Sequence, residues 1–176
     1  MSETAPALGL LHTGLLAASV ALLLGASLND VAVRTIPDQI LLGILTIGVT
    51  LHLIDGALMS ALVAAVAVFA LGALCWRCGW LGGGDAKLLA ACALLVQPAR
   101  VPQLVLATAL AGGVLACLYL ALRRMTTYWR IPAHAGGSHT LAVRVCRAEW
   151  WRARRRGSLP YGCAIAAAAM FTLFSD

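Results

Sequence analysis

"LGGGDAKLLAACALLVQP", residues 81–98, is the stretch on which the fold turns. Three glycines and an acid run straight into Leu, Ala and Val. The pattern predicts a helix over 85–97. Its apolar part, from Ala86 to Gln97, reaches only about 18 Å at 1.5 Å per residue, short of the roughly 30 Å of hydrocarbon in a bilayer. If its outer end at Pro98 sits near one membrane face, Asp85 lies some way inside. Gly82, Gly83 and Gly84 then read as non-helical backbone at depth, tolerated only where protein or a water-filled cavity lines it. Glycine also lets a backbone pass close to a substrate strand.

The rest of the chain supports a membrane setting. Of 176 residues, 61% are hydrophobic and 11% charged, a composition outside that of soluble domains. The expected fold is an all-α polytopic membrane protein with six spans at about 8–28, 38–54, 57–76, 85–97, 102–122 and 159–174. It reads as one integral-membrane domain over 1–176, with no room for a large soluble one. Leu8 to Leu28 reads as a retained span rather than a signal peptide, because Met1 to Ala7 carries no Lys or Arg and no small-residue cleavage site follows. The six cysteines, at 75, 78, 92, 117, 146 and 163, lie mostly in or beside apolar runs. There a thiol behaves as a small hydrophobe, and no disulfide framework is expected.

An even number of spans puts both termini on one side, and basic residues near span ends are retained in the cytoplasm. With the N-terminus outside, the connections at 29–37, 77–84 and 123–158, together with the start of the fourth helix, hold every one of the 13 Lys and Arg residues except Arg100. Both termini are therefore expected in the periplasm. The basic cytoplasmic loop at about 123–158 ends in "WWRARRRGS", residues 150–158. That tract reads as a topology anchor with interfacial tryptophans, with binding to anionic lipid headgroups as the alternative. Nothing in its position points to nucleic acid.

The chain has seven Asp and Glu residues. Glu3 and Asp176 are terminal, Asp55 falls in an outer turn and Glu149 in the polar loop. Asp30, Asp38 and Asp85 remain, all at the cytoplasmic ends of predicted helices, and an ionisable group at membrane depth is a functional hypothesis by default. Asp38, after Pro37, reads first as a helix N-cap. Asp30 closes the first helix, where a negative charge meets the unfavourable end of the dipole, so something else must favour it. Asp85 could cap its helix, but a cap does not need three preceding glycines. Two carboxyls from separate helices facing one pocket can hydrolyse a peptide without a covalent intermediate. They share a proton, because like charges a few ångströms apart do not both ionise easily. One carboxylate deprotonates a water while its protonated partner donates to the scissile carbonyl oxygen. Such a pair titrates as a unit.

These residues carry a family resemblance. "GGGD" at 82–85 matches the G-x-G-D motif of intramembrane aspartyl proteases, and "GGGDAKLLA" through Ala90 resembles the form found in prepilin peptidases. "NDVAVRTIPDQI", residues 29–40, resembles that family's first motif, an aspartate seven residues before a Pro that is followed by Asp or Asn; Asp30, Pro37 and Asp38 have that spacing. "LPYGCAI", residues 159–165, is similar to the P-Y-G motif that opens the last helix, on Pro160, Tyr161 and Gly162. The resemblance implies that Asp30 and Asp85 are the catalytic pair and that Gly82 and Gly84 shape the substrate-facing backbone. Pro37, Asp38, Pro160, Tyr161 and Gly162 take supporting places. Lys87 matches the lysine two positions beyond the acid, as an electrostatic tuner or a snorkelling anchor.

The resemblance further implies an aspartic endopeptidase of the bacterial inner membrane that uses no metal or other cofactor. Its substrates are prepilins and pseudopilins, cut between a short basic leader and an apolar helix, and its wider partners are pilus or secretion machinery. Long members carry an N-terminal domain with paired C-x-x-C motifs and also methylate the new N-terminus. Here the lone "CWRC" at 75–78 is half of a four-thiolate zinc site, and no methyltransferase domain is expected. Size and motif order look like the short peptidases of Tad-type (Flp) pilus systems, with an archaeal preflagellin peptidase as the nearest enzymatic alternative. Two other classes stand beside these. A small transporter or proton channel would use paired acids near the midplane and inverted repeats, whereas the acids here sit at one surface. A non-catalytic assembly factor would have no need of both aspartates.

Overall fold

In a computed structural model, the structure describes residues 4–128 and 160–175. Most of the basic loop at 123–158, its tract at 150–158 and Leu159 lie outside them, as do Glu3, Cys146, Glu149 and Asp176. All regular structure among the described residues is helical: α1 (Thr4–Val33), α2 (Asp38–Ile54), α3 (Leu58–Arg77), α4 (Gly83–Leu95), a single 3-10 turn (Pro98–Arg100), α5 (Val101–Tyr128) and α6 (Tyr161–Phe174). Three stretches are long and apolar enough to cross a membrane, namely Leu8–Val33, Leu58–Arg77 and Pro98–Ala121. The other helices fall short of that length: α4 and α6 have 13 and 14 residues, roughly 20 Å each.

The core is built around α4. Its Ala86, Leu88, Leu89 and everything from Ala91 to Leu95 are buried, against α2, α3 and α6. Small residues bring these backbones close, as membrane helix packing favours. A Cβ on Gly72 of α3 would stand 3.1 Å from the Cβ of Ala86, and one on Gly48 of α2 would stand 2.8 Å from the Leu94 carbonyl oxygen. The outward faces carry Leu10, Val63, Val66, Leu110 and Val114, all well exposed, the surface of a membrane protein that lipid covers. A helix as short as α4 therefore survives because protein, not lipid, surrounds it.

The glycine contact yields a direct expectation. Gly48→Ala must push two backbones apart and should destabilise the bundle by about 1–3 kcal/mol. Gly113→Ala on α5, where a Cβ meets nothing within 4 Å, should be neutral or stabilising. Thermal unfolding of both variants in one detergent checks this; equal melting points would remove the close contact from the account.

At one end of the bundle Arg100 caps α6: its Nη1 donates to the carbonyl oxygens of Ser175 and Thr172. Basic side chains suit the carbonyl-rich end of a helix, which gives local work to the one basic residue outside the predicted cytoplasmic set. Buried His52 lies beside it, lining a small cavity of about 90 Å³ with His12, Gln97 and Arg100.

Several boundaries differ from the sequence reading: α1 begins at Thr4 rather than about 8, and α5 runs to Tyr128 rather than 122, so 123–128 is helix and not the start of the basic loop. α1 runs to Val33, so Asp30 lies inside its last turn rather than closing it. α4 begins at Gly83, so Gly83 and Gly84 are helical and only Gly82 is extended, at φ −72°, ψ 147°. The expected run of non-helical glycine is corrected accordingly.

Candidate active site

Asp30 is 5% exposed, and its Oδ2 accepts a hydrogen bond of 2.9 Å from the Gly162 backbone N–H. Pro160 is the N-cap of α6, Tyr161 its first residue and Gly162 its second. The acid at the unfavourable end of α1 thus sits at the favourable end of α6, where free N–H groups and the helix dipole stabilise negative charge. The fit is tight: a Cβ on Gly162 would fall 2.7 Å from Oδ2, 2.9 Å from Cγ and 3.0 Å from Cβ of Asp30. Tyr161 is seated the same way on α5, where a Cβ on Gly112 would lie 2.8 Å from its Cε1. The P-Y-G segment starts a helix, turns a phenol into the site and offers an N–H to a carboxylate.

Asp85, the third helical residue of α4, folds its carboxyl back onto the Gly82 backbone N–H, the acid half of a capping box. A Cβ on Gly82 would stand 2.6 Å from Asp85 Oδ2. Gly82 thus makes room for the Asp85 carboxyl and does not serve an unusual φ. The N-cap of α4 is Gly82 and not Asp85, so the N-cap reading of Asp85 is corrected; the same side chain also lines a cleft of about 640 Å³ together with Asp30, Arg34, Trp80, Gly82 and Tyr161. That volume is in the range of ligand sites. Gly84 lines it too, and a Cβ there would meet only Ile36 Cδ1, at 3.9 Å.

Other expected residues lie outside the cleft lining. Pro37, not Asp38, is the N-cap of α2, and no side chain caps it. Asp38 is the first helical residue, where its charge suits the dipole without a capping bond; the N-cap reading is corrected. Lys87 Nζ stands 3.6 Å from Asp38 Oδ1, both side chains largely exposed. The pair straps α4 to α2, an interaction of about 0–1 kcal/mol at a solvated surface. The "CWRC" segment ends α3 with Cys75 half-buried and Cys78 exposed, and the Trp80 N–H bonds the Cys75 carbonyl at 2.9 Å. It builds the turn that presents Trp80 to the cleft.

Two residues that sequence reasoning passed over stand in or beside the site. Arg34 follows α1 at φ 61°, the one non-glycine residue at positive φ among those described. Its N–H bonds the Asp30 carbonyl at 2.9 Å, and its Nη2 donates to Tyr119 Oη of α5 at 3.1 Å. Arg34 was read only as a topology charge, and Tyr119 lies inside an apolar run with no local signal. Asn29 Nδ2 braces the same turn through the Thr35 carbonyl, at 2.8 Å. Asp30 and Arg34 are both near enough for their charges to act on Asp85. One cleft therefore holds a buried carboxyl, a half-buried carboxyl and a cation, a set suited to holding and moving protons.

A family model described as the type IV leader peptidase family matches residues 17–117, more than half of the chain, including both aspartates and the glycine run. Comparison with curated proteins and with solved structures gives no match.

Proposed function

The chain belongs to the type IV leader peptidase family, and on that premise we propose that Asp30 and Asp85 are its catalytic pair, in a prepilin leader peptidase of the short kind that serves Tad-type (Flp) pili. The observation that carries this reading is the cleft: two carboxyls delivered by different helices, α1 and α4, line one cavity large enough for a peptide segment. With one proton shared between them, one carboxyl takes a proton from water as it attacks the scissile carbonyl. The other donates to the carbonyl oxygen; as the C–N bond breaks, the proton taken from water passes on to the leaving nitrogen and a hydroxyl of the tetrahedral intermediate returns its proton to the donor carboxylate, which restores the shared-proton pair. The carboxyls supply the whole acid–base cycle, so the reaction needs no metal or other cofactor.

The substrates are prepilins and pseudopilins, with a short basic leader outside the bilayer and an apolar helix within it. Gly82 and Tyr161 shape the cleft wall, and Gly84 leaves room in it for the substrate backbone. Gly162 holds Asp30 through its N–H and Pro160 opens that helix, while Pro37 opens α2 and Asp38 and Lys87 pair at the exposed surface between α2 and α4. The whole of 1–176 acts as one domain of the bacterial inner membrane, and its partners are the pilus or secretion machinery that receives the product.

Six spans with both termini in the periplasm put the cleft at the cytoplasmic boundary, where a leader is reachable. The distribution of the 13 basic residues supports this orientation. A reporter fused after Asp176 should read as periplasmic and one inserted near Gly136 as cytoplasmic; the opposite result for either would move the cleft away from the leader. The activity is tested by co-expressing the full chain with a small pilin precursor in membranes and following conversion to mature length. No conversion of any small pilin precursor or pseudopilin would sink the reading.

A further inference from the structure

A residue that ends a helix in the left-handed region is usually Gly, or Asn, because a Cβ crowds the following carbonyl there. This chain ends α1 with an arginine in that conformation, Arg34 at φ 61°. Backbone strain of this kind persists where the surrounding structure holds it, and it gathers at functional sites. What the arginine brings, and glycine would not, is a charge. Its guanidinium is steered by Tyr119 Oη from α5, and the residue lines the cleft that Asp30 and Asp85 line. Among the described residues lining that cleft, it is the one cation. Its backbone is tied to the same turn as the buried acid, through its N–H on the Asp30 carbonyl.

We propose that Arg34 is the counter-charge of the carboxyl pair, a positioning residue whose guanidinium, held by Tyr119, balances the single negative charge that two carboxyls sharing one proton carry. The inference rests on Asp30 and Asp85 being that pair. A pair with net charge −1 that is partly withdrawn from solvent is costly without a nearby cation. Arg34 offsets that cost from the end of the helix that bears Asp30, so the charge and the acid move together. The backbone strain is then the cost of having a long cationic side chain at this one point, and Tyr119 limits the geometries it samples.

The test compares substitutions in the full chain, in membranes, by cleavage of a co-expressed small pilin precursor with enzyme abundance checked, and by turnover and KM on the purified enzyme. Arg34→Lys and Arg34→Gln bear the same left-handed strain and differ in charge. Lys should keep a substantial part of wild-type turnover, whereas Gln should lose roughly 100-fold, the scale of removing one electrostatic partner from an active site. The loss should fall on kcat rather than KM. Arg34→Gly, which suits the backbone better, should melt no lower than Arg34→Gln yet be as inactive. Tyr119→Phe should lower turnover by a smaller factor at unchanged melting point. Equal activity of Lys and Gln, or wild-type cleavage by Gly, would reduce Arg34 to a helix end and overturn the proposal. Failure of the underlying reading is distinguishable, since it would show as wild-type cleavage in Asp30→Asn or Asp85→Asn.

Discussion

Asp85→Asn should leave the protein inserted and folded while lowering conversion of a pilin precursor by on the order of 100- to 10,000-fold, the contribution of a positioned acid–base group. Asp30→Asn should do the same. The amide is close in size to the carboxyl, and its oxygen still accepts the N–H of Gly82 in one case and of Gly162 in the other, so the local structure loses little. What each variant lacks is the proton transfer. Because the two carboxyls act as a unit, the double variant should be no slower than the slower single one, the non-additivity of cooperating catalytic groups. Asp38→Asn provides the contrast. It removes an exposed ion pair to Lys87, worth about 0–1 kcal/mol, and should retain most of the activity. The measurement is the fraction of precursor matured, with enzyme abundance in the same membranes. Substantial cleavage by either single variant would exclude the pair.

The helices were legible because apolar runs and punctuation agree. Pro37 before α2 and Pro98 before α5 fix φ and deny a donor, so the predicted starts fall within a residue of Asp38 and Val101. Where punctuation misleads, the boundaries slip. The glycines before Asp85 read as a break, yet two of them continue the helix, because free N–H groups at a helix start tolerate glycine and the third residue's carboxyl returns to the N-cap. The predicted end of α1 falls short because the apolar run ends at Leu28, whereas the helix runs on to Val33 and its Asp30 is held by a partner 132 residues away. That contact was visible in outline, since the acid at a helix C-terminus required a partner. The identity of the partner was not, because it comes from packing between α1 and α6.

Arg34 and Tyr119 were illegible for the same reason: a left-handed φ and a phenol at the site's edge have no periodicity to announce them. Gly112 looks like any small residue in an apolar helix until Tyr161 is placed on it. Half of the site was thus written as motif and half as fit between helices. The fitted half is where substitutions separate geometry from chemistry most cleanly.

Gly162→Ala is the substitution with which to test that half. The added methyl would stand within 3.0 Å of three atoms of the Asp30 side chain, which is 5% exposed and has little room to swing away. Either the carboxyl leaves the N-terminus of α6 or the two helices part. Losing the bond to the Gly162 N–H costs about 1.5–3 kcal/mol for a charged acceptor, and forcing packed backbones apart costs about 1–3 kcal/mol. The variant should therefore melt lower than wild type and cleave about as poorly as Asp30→Asn, although it retains both carboxyls. Gly84→Ala separates the effect from glycine loss in general, since its methyl would meet only Ile36 Cδ1 at 3.9 Å. It should keep the wild-type melting point, and any loss of cleavage should come from the methyl narrowing the cleft, read as a raised KM. Melting in one detergent and precursor maturation in membranes measure both. A Gly162→Ala protein that matures precursor at the wild-type rate would mean that the contact between α6 and Asp30 is structural only. The carboxyl would then act without the support of that helix terminus, and the small residue of the P-Y-G segment would reflect packing between α1 and α6.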